Sequence, residues 1–143
     1  MMKKEKQRSP AAAKPVTVIS EKDQKTLRRW LLIICGLFAF LLYANTLMHD
    51  FVLDDETAIG KNRFTKEGIS ALPEIFSTPY RAGFWDRNEG LYRPLSIALF
   101  AIEWQLAPAN PHFFHWVNVL LYAITAIMLF ITLSLFFEKK NIL

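Results

Sequence analysis

Three adjacent carboxylates, Asp54-Asp55-Glu56, stand just beyond a long apolar block and hold the most obvious chemistry in this sequence. One member of such a group can serve as a general base. The same oxygens could hold a divalent cation. The plain alternative is a solvated turn. Arg93, between Tyr92 and Pro94, offers a guanidinium fork suited to a phosphate, or else an anchor that snorkels to headgroups. Arg81, Arg87 and Lys61 are weaker candidates of the same kind. His115 and Asn118 are three residues apart in an otherwise apolar stretch, hence on one helical face. Polar residues so placed face a polar cavity, where they could contact a substrate, or bond to a neighbouring helix. His49-Asp50 lies near the acidic triplet, but its spacing matches no specific metal motif.

The elements that must position these residues are apolar blocks. Hydrophobic residues make up 52% of the 143-residue chain and aromatics 14%. They run in stretches that a soluble core of this size could not hide. Trp30–Met48 is 19 residues without a formal charge, long enough to reach roughly 28 Å as a helix. Trp30 and Tyr43 suit the interfacial belts. A cleaved leader would need a small-x-small site after the apolar block, and none follows, so the segment reads as an anchor. Phe113–Phe137 is a second span of 25 residues.

Charge sets the expected orientation. Residues 1–29 carry nine Lys/Arg against three acids, and residues 49–112 six bases against nine acids. Lys139 and Lys140 follow the second span. The positive-inside rule then places both termini in the cytoplasm and the acidic loop outside it. The expected fold is all-α and integral to the membrane. Its parts are a basic tail (1–29), a first span (30–48), an outer loop (49–112), a second span (113–137) and a cytoplasmic end (138–143). Residues 1–20 read as disordered. Ser20, with Asp23 in the capping-box position, starts a helix that runs into the membrane. Within the loop, Lys66–Ser77 has helical spacing interrupted at Pro73. Arg93–Leu106 is too short to span and reads as an interfacial helix, with Leu95, Ala98, Leu99, Ile102 and Leu106 on one face and the polarity of Ser96, Glu103 and Gln105 elsewhere.

Other function classes fall away. A basic tail without interleaved aromatics argues against nucleic acid. The single cysteine, Cys35, excludes an internal disulfide and a one-residue zinc site. Brief loops and the absence of glycosylation sequons lean toward a bacterial inner membrane.

In order, the first span, Asn45, "FVLDDE" (Phe51–Glu56), "YRPLS" (Tyr92–Ser96) and "NPHFFHWVNVLLY" (Asn110–Tyr122) resemble the amino-terminal part of the GT-C membrane glycosyltransferases. The resemblance is to the protein O-mannosyltransferase-like members and the transmembrane proteins with tetratricopeptide repeats. It implies transfer of a sugar from a polyprenyl-phosphate carrier to an acceptor hydroxyl outside the cytoplasm. It further implies Asp54 or Asp55 as catalytic base, in a single inverting displacement, and Arg93 at the lipid phosphate. Glu56, His115 and Asn118 are expected on the substrate side. Cofactors reduce to a possible divalent cation. The implied partners are the lipid bilayer, the lipid-linked sugar and further transmembrane helices. Two helices cannot enclose such a donor, so this chain alone is expected to be inactive: an amino-terminal fragment, a truncated reading frame or one piece of a split enzyme. The other reading is a non-catalytic two-span subunit or adaptor that presents its loop to a partner.

Overall fold

The computed structural model describes residues 20–85 and 90–140. The disorder expected for the tail and the candidate Arg87 lie outside the described residues. Helix α1 (Glu21–Tyr43) starts where the capping pattern places it. The Ser20 hydroxyl oxygen accepts from the Asp23 N–H at 3.2 Å, and its own proton goes to Asp23 Oδ2 at 2.7 Å. A 3-10 segment, Ala44–Met48, carries the chain out of α1. At the other end of the chain, α5 (Pro111–Lys140) is a single helix. It starts at Pro111, where a proline costs no hydrogen bond.

Helices α1 and α5 pack against each other where side chains are small or aromatic. Gly36 meets Ile127 so closely that a Cβ there would stand 2.6 Å from Ile127 Cδ1. Ala39, Val119 and Ala123 are buried nearby. Phe40 meets Trp116 at 5.7 Å and Tyr43 meets Tyr122 at 4.4 Å between ring centroids. Close approach through small residues is the usual means of helix association in lipid. The rest of both surfaces stays apolar and uncovered. Only 17% of the most apolar stretch of α1 with its 3-10 extension, and 11% of that of α5, is buried inside the chain. A core helix of a soluble protein would be mostly buried. These helices have lipid as their solvent.

The segment between them folds on a core of its own. After a turn at Leu53 come one turn of π-helix (Glu56–Gly60), α2 (Arg63–Glu67), a 3-10 turn (Gly68–Ala71), α3 (Leu72–Ser77) and α4 (Pro94–Leu106). Ala58, Ile59, Phe64, Ala71, Ile75, Ile97, Ala98 and Ala101 close around one another, together with Phe114 of α5. Phe114 joins the two regions, its ring 5.3 Å from Phe51 and 6.2 Å from Phe100.

Two local expectations change. The break in the 66–77 segment falls at Gly68, not at Pro73. Gly68 has φ +70°, and a Cβ there would lie 2.8 Å from Gln105 Oε1, while Pro73 sits in the first turn of α3. In α4 the Leu95, Ile102 and Leu106 stripe is exposed, and Ile97, Ala98 and Ala101 face the core. Glu103, expected on a polar side, is 2% exposed.

Candidate functional site

The acidic triplet sits on the turn between the first span and the loop core. Leu53 has φ +44°, the left-handed region that costs a branched residue about 1–3 kcal/mol. Bonds on either side hold that backbone. The Asp55 N–H donates to Val52 O at 2.9 Å, and the Val52 N–H donates to Asp55 Oδ2 at 3.1 Å. One carboxylate of the triplet is thus committed to shaping the turn. Glu56 pairs with Lys61 at 2.9 Å at the surface. Asp54 is the most exposed member, and its Oδ1 accepts from Arg81 Nη2 at 2.8 Å.

Arg81 is positioned by a tight loop. Its carbonyl accepts from the N–H groups of Phe84 and Trp85, at 2.9 and 3.1 Å. Its side chain is mostly covered, and the guanidinium lies over the rings of Tyr80 (5.7 Å) and Trp85 (5.8 Å). Arg93 also stands over Tyr80 at 5.7 Å. Two backbone links bring the segments together. The Tyr80 N–H donates to Leu91 O at 2.8 Å, and the Arg63 N–H to Gly83 O at 2.8 Å. Tyr92 Oη donates to Phe76 O at 2.7 Å and fixes the residue before Arg93 against α3. Asp54, Arg81, Tyr80 and Arg93 therefore form one cluster, although 39 positions separate Asp54 from Arg93 in the sequence. Burial pushes the Tyr80 phenol above its ordinary value. The two arginines oppose that shift, and Asp54 and Asp55 add to it.

Such a cluster can offer a carboxylate to a hydroxyl proton, with guanidinium groups one ring away for an anion. Of the residues singled out from sequence, Asp54 and Arg93 come together here. Asp55 shapes the turn, and Glu56 turns to Lys61. His115 and Asn118 belong to another environment. The His115 ring stands edge-on to His49 at 6.5 Å, and its Nε2 is buried without a hydrogen-bond partner among the described residues. Asn118 lines a cavity of about 230 Å³ with Tyr43, Thr46, Val119 and Tyr122. No hydrogen bond or ion pair among the described residues ties either of them to the acidic turn. Among the described residues no three His, Cys, Asp or Glu side chains converge as metal ligands would.

Sequence reasoning gave Tyr80 and Glu103 no place in the site, and counted Arg81 only as a spare phosphate ligand. Tyr80 and Arg81 sit in a proline- and glycine-bounded loop with no period to read. Glu103 lies in a helix that is apolar nearly all round, so its register does not mark which face is packed. Both its oxygens are buried without partners among the described residues, and burial raises its pKa to about 7.

The comparisons with known proteins point one way. Over 103 residues, 68% of the chain, it is 31% identical to protein O-mannosyl-transferase Tmtc1 of Drosophila melanogaster. Protein O-mannosyl-transferase TMTC3 of Homo sapiens matches 69% of the chain at 28% identity, and TMTC4 of Mus musculus matches 76% at 28%. The chain resembles the TMTC protein O-mannosyl-transferases. It spans only 11% of the length of the TMTC3 and Tmtc1 proteins, and 15% of TMTC4. No family model matches the chain, and no solved structure matches it. These TMTC relatives are animal proteins, so they lend no support to the bacterial membrane that loop length and missing sequons suggested.

Proposed function

We propose that this chain supplies the first outer loop of a polyprenyl-phosphate-sugar-dependent glycosyltransferase, with its acidic turn at the reacting centre. The observation that carries the reading is the Asp54–Arg81 pair, which sets an exposed carboxylate beside the Tyr80–Arg93 cluster. In this reading both termini are cytoplasmic, and the loop meets donor and acceptor outside.

The reaction is a single displacement. A carboxylate of the turn takes the acceptor hydroxyl proton, the hydroxyl oxygen bonds to the anomeric carbon, and the bond from that carbon to the carrier phosphate breaks. The phosphate leaves with the bonding electrons, and Arg93 meets the charge that grows on it. Asp54 is the better placed of the two acids, because Asp55 already accepts the Val52 N–H. Arg81 holds only Oδ1 of Asp54, and the carboxylate is otherwise exposed. Further transmembrane helices complete the donor cavity.

The test uses membranes that express the protein from its natural locus, supplied with polyprenyl-phosphate [³H]mannose and a hydroxyl-bearing peptide. Asp54→Asn should lower transfer at least a hundredfold and Asp55→Asn less. Full transfer by both variants, and by the double variant, would overturn the reading.

A further inference from the structure

At the turn that follows the first span, apolar side chains point out of the chain. Met48 is 79% exposed, Val52 60% and Leu53 89%. Leu53 is also the residue held at φ +44°, a backbone that glycine would adopt without penalty. A backbone strained to carry a side chain that meets almost nothing within the chain points to a contact outside it.

The depth of this turn is fixed by α5. Leu47 O accepts from His112 Nδ1 at 3.1 Å. The His49 ring stands 6.5 Å from that of His115, and the Phe51 ring 5.3 Å from that of Phe114. Residues 47–51 therefore run beside residues 112–115, where α5 enters its apolar stretch. Leu53, two residues past Phe51, lies within about 7 Å of it. The polar backbone of the turn is also closed on itself. The Val52 N–H donates to Asp55 Oδ2 at 3.1 Å, and Val52 O accepts the Asp55 N–H at 2.9 Å. Leu53 O accepts the Glu56 N–H at 3.3 Å, and Asp54 O the Thr57 hydroxyl at 3.0 Å. A turn in water needs no such closure, whereas backbone that enters apolar surroundings does.

We propose that Val52 and Leu53, with Met48, seat in the bilayer surface on the loop side, at the boundary of headgroups and acyl chains. The ridge continues the exposed apolar surface of α1, whose solvent is lipid, so the same lipid covers it. The Asp54 carboxylate, exposed and paired with Arg81, stays on the water side, which makes the turn amphipathic over consecutive residues. The ridge itself carries no cation, so its seat needs no anionic headgroup. The proposal does not depend on transfer chemistry.

Nitroxide accessibility tests the seat, with the full chain in vesicles of phosphatidylcholine alone. In a Cys35→Ala background, Leu53→Cys carries the spin label. Its contact with oxygen, which partitions into lipid, is read against contact with a water-soluble nickel chelate. Labels at Leu41→Cys, on the exposed apolar face of α1, and at Lys61→Cys, exposed beyond the turn, supply the two limits. The Leu53 label should favour oxygen over the chelate several-fold more than the Lys61 label does, and approach the Leu41 label. A ratio equal to that at Lys61 would mean a turn in water and overturn the seat. Protection from both reagents would mean a protein contact and overturn it as well. Leu53→Gly removes the ridge side chain and relieves the left-handed backbone, so the turn keeps its shape. A label at Val52→Cys should favour oxygen in the parent, then lose oxygen contact and gain the chelate when Leu53→Gly is added. A Val52 label that reads the same in both would sink the proposal, even if Leu53→Cys fails to fold.

Discussion

The loop between the spans and the helix pair are built for different solvents, and the contrast shows in how each treats a polar group. In the loop, buried polar atoms are bonded. Asn62, fully buried, accepts from the N–H groups of Phe64 and Thr65 at 3.0 and 3.3 Å. Its amide reaches Thr57 O at 3.4 Å, and Thr65 Oγ1 donates to Ala58 O at 2.7 Å. The loop hides its apolar side chains as a water-soluble fold does. In the helix pair the order reverses: Leu37, Phe38, Leu41 and Phe136 are all more than half exposed, and contact is confined to a narrow seam. Stability in the first region rests on a core and its polar bonds, and in the second on close approach in lipid.

Breaking the loop's polar core should have the largest effect. Asn62→Ala removes a helix cap and leaves buried N–H groups unpaired, a loss of about 2–3 kcal/mol. Limited proteolysis should then cut the loop while α1 and α5 stay protected. Equal protection in variant and parent would erase the contrast.

Among the described residues Glu103 stands apart in the loop as a buried carboxyl with no hydrogen bond, and it gives a signed pH effect. Its pKa is about 7 in the folded chain against an ordinary 4.5, so the folded state binds the proton more tightly. Its contribution therefore favours the fold at low pH, declines above about 4.5 and levels off once pH exceeds 7. Glu103→Gln should flatten this dependence by about 1–2 kcal/mol between pH 5 and pH 8, read from thermal unfolding of the loop in detergent. A parent protein whose loop is equally stable at both values would contradict the assignment.

The seam of the helix pair is tested by chemistry of its own. Cys35 Sγ lies 3.8 Å from Ala126 O, so Ala126→Cys should crosslink to Cys35 under mild oxidation. Gly36→Leu forces a side chain into Ile127 and should suppress that crosslink, at a cost of about 1–3 kcal/mol to the pair. The smallest stability effect belongs to Asp54→Asn, which removes the ion pair and leaves Arg81 stacked on Tyr80 and Trp85. Asp54 is mostly solvated, so the ion pair should be worth less than about 1 kcal/mol to the fold. A loss well above that, measured in the same unfolding experiment, would make the Asp54–Arg81 pair a pillar of the loop core.

The two regions also differed in how far sequence could reach. The spans, the Ser20 cap and the start of α4 at Pro94 are written in local signals: apolar length, capping residues and a proline at a helix start. Asp54 and Arg93 were legible as chemical types. Their meeting was not, because it passes through Arg81 and Tyr80 in an irregular loop whose course depends on contacts with residues 63, 76 and 91. Gly68 was hidden for a related reason. The lack of room for a Cβ there comes from Gln105, far along the chain, while Pro73 carries the louder local signal. The burial of Glu103 likewise depends on what α4 packs against, and a helical wheel of α4 alone cannot report it.

The left-handed backbone of Leu53 has a consequence in time. A strained residue that carries the exposed Asp54 carboxylate on its next neighbour favours opening, while the flanking bonds favour closure. The acidic turn should thus flicker between two shapes faster than the capped helix α2 behind it. In amide exchange, Asp55 and Glu56 would run ahead of Phe64 and Thr65. A flexible rim on a rigid floor lets the Asp54 carboxylate move without disturbing the fold that presents it.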